Sequence, residues 1–191
     1  REARWDYVFP PQAAERRVGV MGLGVLGGEV ARALAAHRFP VAGWSRGPRT
    51  VAGVECFHGG DGLRSFLART EILVCLLPLT AETGDILNAD LFARLPRGAA
   101  VVNVARGGHL VDADLIAALE SGHLSGATLD VFREEPLPPG HPFWRHPKIL
   151  VTPHVASYTV PESAAAGVVE SVRRVRAGEP LLNVVDRGSG Y

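Results

Sequence analysis

The chain has 191 residues, 47% of them apolar, and its 20 lysines and arginines balance its 20 aspartates and glutamates. That length is enough to bury a hydrophobic core, and a formal charge of zero without a long basic tract leaves no footprint for nucleic acid or an anionic membrane surface. No apolar run nears the roughly 20 residues that span a bilayer, and no charged start precedes an apolar signal core, so the expected location is the cytoplasm and the expected partners are small molecules.

In chain order, "REARWDYVFPPQAAERR" reads as the end of a helix running into a proline-broken linker. Residues 1–15 are therefore expected to be a hinge from an upstream part, with Trp5 belonging to it. From Arg17 onward short β-branched runs alternate with amphipathic stretches, the pattern of a parallel sheet covered by helices. Strands are expected at 17–22, 40–44, 71–76, 99–104, 125–130 and 149–152, with a short one near 54–57. Helices are expected in "VLGGEVARALAAHR", "DGLRSFLAR", "NADLFARL" and "DADLIAALESG", with Asn88 and Asp112 as caps. Residues 133–148 hold too many prolines for a helix or a central strand and are expected to form a long ordered loop, with Trp144 packed beneath it. "PESAAAGVVESVRRVRAGE" reads as a last helix, and residues 160–191 as that helix plus an extended tail. Residues 16–159 then form one dinucleotide-binding domain, an α/β, doubly wound parallel sheet. Cys56 and Cys75 read as reduced thiols, Cys75 acting as a small hydrophobe inside "EILVCLLP".

Chemistry enters at the first strand-to-helix turn, where Gly22, Gly24 and Gly27 form G-x-G-x-x-G. The first glycine permits a tight turn, the second lets a pyrophosphate approach the backbone, and the third lets helix and strand pack closely; the pyrophosphate then meets the positive helix end. With flanking strands and a helix in place, the pattern predicts dinucleotide binding, with Val25 and Leu26 in the same turn. Gly28 carries no separate role. The second strand ends in "GWSRGPR". An acid is expected there in an NAD-type site, to hold the ribose hydroxyls and repel a 2′-phosphate. Here Trp44 is followed by Ser45, Arg46 and Arg49. Serine removes the repulsion, and a guanidinium bond to phosphate is worth about 1.5–3 kcal/mol, roughly tenfold or more in affinity. The reading is NADPH preferred and NADH possible, with Arg46 the first cation because Pro48 can aim Arg49 away.

Three further groups stand at successive strand ends: Arg106 in "NVARGGHLVD", Asp130 and Glu135 in "TLDVFREEP", and His154 in "ILVTPHVASYT". In a doubly wound sheet, the carboxyl ends of the strands face the ligand crevice. His37, His58, His109, His123, His141 and His146 are scattered without metal-ligand spacing; they read as loop or surface residues, and no metal is expected.

The ordered set "GLGVLG", "LLPLTAET", "NVARGG", "LDVFREEP" and "TPHVA" resembles the D-isomer-specific 2-hydroxyacid dehydrogenases from Arg17 to Thr159. Within them, "WSRGPR", "EPLPPGHPFWRHPKILVTPHVASYT" and the terminal "VVDRGSGY" look most like the bacterial NADPH-dependent branch that reduces glyoxylate and hydroxypyruvate. The resemblance implies a Rossmann-type domain and a small 2-keto acid substrate. It also implies a homodimer formed through the cofactor domain, and a substrate domain built mainly from upstream residues, without which turnover is poor. By the same resemblance Arg106 binds the substrate carboxylate and carbonyl oxygen, His154 is the general acid, and Glu135 holds the imidazole and favours its charged form. Asp130 then binds the nicotinamide carboxamide, Leu77, Pro78 and Thr83 line the cofactor, and Val104 and Ala105 supply backbone near the nicotinamide. Two alternatives stay open: an NAD-dependent relative such as a phosphoglycerate dehydrogenase, which would carry an acid after the second strand, and a nucleotide-sensing corepressor on the same fold.

Overall fold

The computed structural model describes residues 9–182 and 184. Trp5, most of the expected hinge and most of the terminal tail lie outside the described residues. Seven strands, β1 (Val18–Met21), β2 (Val41–Ser45), β3 (Glu55–His58), β4 (Ile72–Cys75), β5 (Ala99–Asn103), β6 (Leu124–Leu129) and β7 (Ile149–Val151), form one all-parallel sheet in the order β3-β2-β1-β4-β5-β6-β7. The α/β reading of the sequence therefore holds, with strand ends within one or two residues of expectation. Helix α1 (Val25–Ala36) connects β1 to β2, α2 (Gly59–Arg69) β3 to β4, α3 (Ala89–Ala93) β4 to β5, and α4 (Asp112–Glu120) β5 to β6.

Successive residues of a strand point to opposite faces, and here they feed different cores. Val20 and Val41 join Leu23, Ala31 and Val51 under α1, whereas Met21, Ala42, Leu73 and Cys75 join Phe66, Leu91, Phe92, Leu115 and Leu119 from the other helices. A sheet covered on both faces needs the near-continuous apolar strands that the sequence supplies. Each fully buried Leu or Phe contributes about 1.5–3 kcal/mol. Both cysteines are free, and burial pushes the Cys75 thiol up to about 12.

The chain runs outward from β1 to β3, returns to β4 beside β1, and continues to β7. The loops leaving β1 and β4 thus part in opposite directions and open a crevice at the carboxyl ends. The turns that enter the strands, at Arg38–Phe39, Arg97–Gly98 and Ser121–Gly122, lie at the opposite end.

Two local expectations need correction. Asp112 is not the cap of α4: Val111 is, without a side-chain bond, and Asp112 is the first helical residue, its carboxylate 3.3 Å from Nε2 of His141. Asn88 does cap α3, accepting from the amide of Leu91 at 3.1 Å. Under the proline-rich loop the buried anchor is Phe143, at 2% exposure, in a short 3₁₀ turn (Pro142–Trp144). Trp144 stands 50% exposed with Nε1 donating to the carbonyl of Pro138. A fifth helix, α5 (Pro161–Ala177), forms as expected, with Pro161 at its first turn and Gly178 in a left-handed cap. None of its described residues is buried.

Candidate active site

At the glycine turn each of the three glycines meets a different constraint. Gly22 has φ +100°, and a Cβ there would lie 2.7 Å from the carbonyl oxygen of Leu76. At Gly27 a Cβ would sit 1.7 Å from the carbonyl oxygen of Gly22, so helix and strand touch through it. Gly24 has nothing within 4 Å of its Cβ position and precedes Val25 as the backbone cap of α1, with no side chain bonding the helix amides. An open approach over an uncapped helix start, where amides and dipole favour negative charge, fits a pyrophosphate.

This turn opens into a cleft of about 840 Å³. Its walls carry Gly22, Gly24 and Gly27 with Val25 and Leu26 from the turn, and Trp44, Ser45, Arg46 and Arg49 from the end of β2. Leu77, Pro78 and Thr83 face them from the segment after β4, and Val104, Ala105 and Arg106 close the cleft past β5. Trp44 is fixed by Nε1 donating to the carbonyl of Gly59 at 2.9 Å, and the Ser45 hydroxyl donates to the carbonyl of Gly47 at 2.8 Å, bending the loop that bears both arginines. Arg46 pairs with Glu82 at 3.2 Å, from the opposite wall. Thr83 spends its hydroxyl within its own loop, donating to the Pro78 carbonyl at 2.6 Å and accepting from the Thr80 amide at 2.8 Å.

Beyond the cleft, the structure brings Glu135 and His154 together. Nδ1 of His154 lies 2.8 Å from Oε2 of Glu135, and since a carboxylate only accepts, Nδ1 carries the proton. The other carboxylate oxygen accepts from the amide of Phe132 at 2.8 Å. The His154 bond, then the Phe132 amide, hold the Glu135 carboxyl below its usual range, and the Arg106 charge adds to the effect. His154 has φ +54°, a left-handed conformation that costs energy for a residue with a Cβ. Asp130 supports that turn. It is 2% exposed, and its carboxylate accepts from the Thr152 hydroxyl at 2.5 Å and from the amides of Val155 and Ala156, each at 2.9 Å. Burial pushes its carboxyl up, but the three donors outweigh burial and leave it below its usual range. Asp130 does not line the cleft; its carboxylate faces the turn that carries His154.

His109 corrects the expectation of a loop or surface histidine. It is fully buried, with Nδ1 3.0 Å from the carbonyl of Arg106 and Nε2 3.2 Å from the carbonyl of Pro78, and so ties the loop after β5 to the loop after β4. Asn103, also buried, donates to the same Arg106 carbonyl at 3.2 Å and accepts from the Ala105 amide. Arg133 bonds the Leu110 carbonyl and pairs with Asp85. The one sequence signal for His109 was its place directly after "RGG"; a histidine's burial is not written in its neighbours. Among the described residues no group of three or more His, Cys, Asp or Glu side chains could hold a metal, and no helix is long and apolar enough to cross a membrane.

Residues 1–156 match the family D-isomer specific 2-hydroxyacid dehydrogenase, NAD binding domain. Glyoxylate/hydroxypyruvate reductase A of Salmonella typhimurium is 46% identical over 190 residues, covering 100% of this chain; the chain spans 61% of that relative's length. Among solved structures, a D-isomer specific 2-hydroxyacid dehydrogenase from Xanthobacter autotrophicus Py2, in complex with NADPH and MES, is 56% identical with a TM-score of 0.96. That alignment covers 100% of this chain and 78% of the other. An NADPH-dependent glyoxylate/hydroxypyruvate reductase from Sinorhizobium meliloti, in complex with NADP and sulfate, is 46% identical with a TM-score of 0.94, covering 98% and 60%. With the glycine turn, the cleft and the strand-end residues all in the family's order, the chain belongs to the D-isomer specific 2-hydroxyacid dehydrogenases and carries their NAD binding domain.

Proposed function

We propose that this chain is the cofactor-binding part of an NADPH-dependent reductase of small 2-keto acids, taking glyoxylate to glycolate and hydroxypyruvate to D-glycerate. The observation that carries the proposal is the bonded Glu135–His154 pair at the carboxyl ends of the strands beyond the cleft that Arg106 closes. The relatives with NADPH or NADP in their solved structures support the cofactor, and the name of the Salmonella relative supports the substrate class.

Arg106 offers a planar fork of donors that can hold a carboxylate and its neighbouring keto oxygen in one orientation. The chemistry NADPH supplies when bound is hydride donation to the keto carbon. His154 keeps Nδ1–H on Glu135 and presents Nε2–H to the keto oxygen, so the proton moves from Nε2 to that oxygen as it becomes a hydroxyl. Glu135, ionised and bonded on both oxygens, stabilises the charged imidazole before the transfer and fixes the ring that makes it. Asp130 fixes the turn beneath His154. At the other end of the cleft, Arg46 and Arg49 would hold the 2′-phosphate of NADPH, and Ser45 brings no repulsive charge; NADH would be the weaker ligand.

In this reading residues 16–159 are the dinucleotide-binding domain, residues 1–15 a linker, and residues 160–191 a helix and tail that return to a substrate domain elsewhere in the polypeptide; the protein is a cytoplasmic homodimer. Titration calorimetry on this chain tests the cofactor: tighter NADPH than NADH is expected, and equal affinities would overturn the roles of Arg46 and Arg49. Oxidation of NADPH by the complete polypeptide with glyoxylate, hydroxypyruvate or pyruvate tests the chemistry. Tight cofactor binding with no turnover of any of the three would favour a nucleotide-sensing protein instead.

A further inference from the structure

Among the described residues Glu82 is the one acid on the cleft walls, whose other charged side chains are Arg46, Arg49 and Arg106. An acid is out of place in a crevice suited to a polyanion, and its position is specific. Its backbone lies in a tight turn in which the amides of Thr83 and Gly84 both donate to the Thr80 carbonyl, with Thr83 bonded in turn to Pro78. From that braced turn the carboxylate reaches 3.2 Å from Nη1 of Arg46. Arg46 follows β2 and Glu82 follows β4, the two strands that flank β1 and its glycine turn. The ion pair therefore spans the mouth of the crevice at the point where the sheet's connections diverge.

We infer that Glu82 is a specificity-determining residue of the cofactor cleft: it holds the Arg46 guanidinium across the crevice and must release it to the 2′-phosphate of NADPH. This rests on the reading of Arg46 as a phosphate ligand. NADH leaves the pair in place and loses nothing; NADPH breaks it, and the freed carboxylate then stands near a second anion. Glu82 thus tempers the preference that Arg46 confers. Side chains in the pair are 59% and 71% exposed, so water screens the attraction and the effect is a modest one, about two- to five-fold.

The test is calorimetric titration of NADPH and NADH into the wild type, Glu82→Gln, Arg46→Gln and the double variant, at low and at high salt. Glu82→Gln is expected to tighten NADPH by about two- to five-fold and leave NADH unchanged, with the gain shrinking at high salt. In the Arg46→Gln background the same change is expected to have no effect on NADPH. A wild type that favours NADPH while Glu82→Gln alters neither cofactor overturns the role of Glu82 and leaves the cofactor reading intact. A wild type with equal affinities overturns the cofactor reading itself. A gain that persists at full size without Arg46 overturns competition for that guanidinium.

Discussion

Asp130 shows how much of a site can hang on one buried carboxylate. Replacing it by Asn keeps the shape but turns one acceptor into an NH₂ facing an amide, so the Asp130→Asn variant is expected to lose about 1–3 kcal/mol of stability, read by thermal or urea unfolding. The sign with pH follows from the lowered carboxyl. A group whose folded value lies below its unfolded one stabilises the fold above the ordinary value near 4 and loses that contribution as pH falls through the folded value. The wild-type advantage over Asp130→Asn should therefore be full at neutral pH and shrink below about pH 4. An advantage that grew on acidification would contradict this account. Residues of this kind were visible in the sequence only as letters at strand ends. The pairing of Glu135 with His154 was legible because both follow the family's order. The turning of Asp130 toward the His154 turn and the burial of His109 were not, since they depend on loops that meet only after the sheet is assembled.

At the scale of elements, the loops after β4, β5 and β6 are laced to one another. His109 joins the first two, Arg133 reaches back from the third, and Gly107 lets the second and third touch. A Cβ on Gly107 would lie 1.9 Å from the carbonyl carbon of Phe132, whose amide bonds Glu135. That contact is with backbone, so Gly107→Ala must displace the segment leading to Glu135, at a cost of about 1–3 kcal/mol. Gly107 does not line the cleft, so NADPH affinity should change little while keto acid reduction by the complete polypeptide falls at least tenfold. Equal losses in affinity and turnover would place the damage elsewhere. The strands and the four crossover helices were readable from periodicity because local pattern and tertiary burial agree there. Caps are less legible in a sequence: Asn88 obeys its local preference, but Asp112 finds His141 instead, a partner far along the chain.

As a whole the molecule is an asymmetric body, with two cores packed on the sheet and one helix none of whose described residues is buried. Because no described residue of α5 is buried, shortening the chain to end at residue 159 should shift the unfolding midpoint by no more than about 2–4 °C, the equivalent of roughly 1 kcal/mol in a domain of this size. A large drop in a calorimetric scan would show that the helix belongs to this core after all. The parallel order of the strands has a practical side as well. Every segment on the cleft walls leaves a strand, and the turns that enter the strands gather at the far end, where Arg97 donates to the Ser121 carbonyl at 3.3 Å across an exposed rim. That rim is a handle. Attached there to a bead or an electrode, the protein would stand with its crevice turned outward, and the orientation needed for an immobilised nucleotide sensor would come from the topology alone.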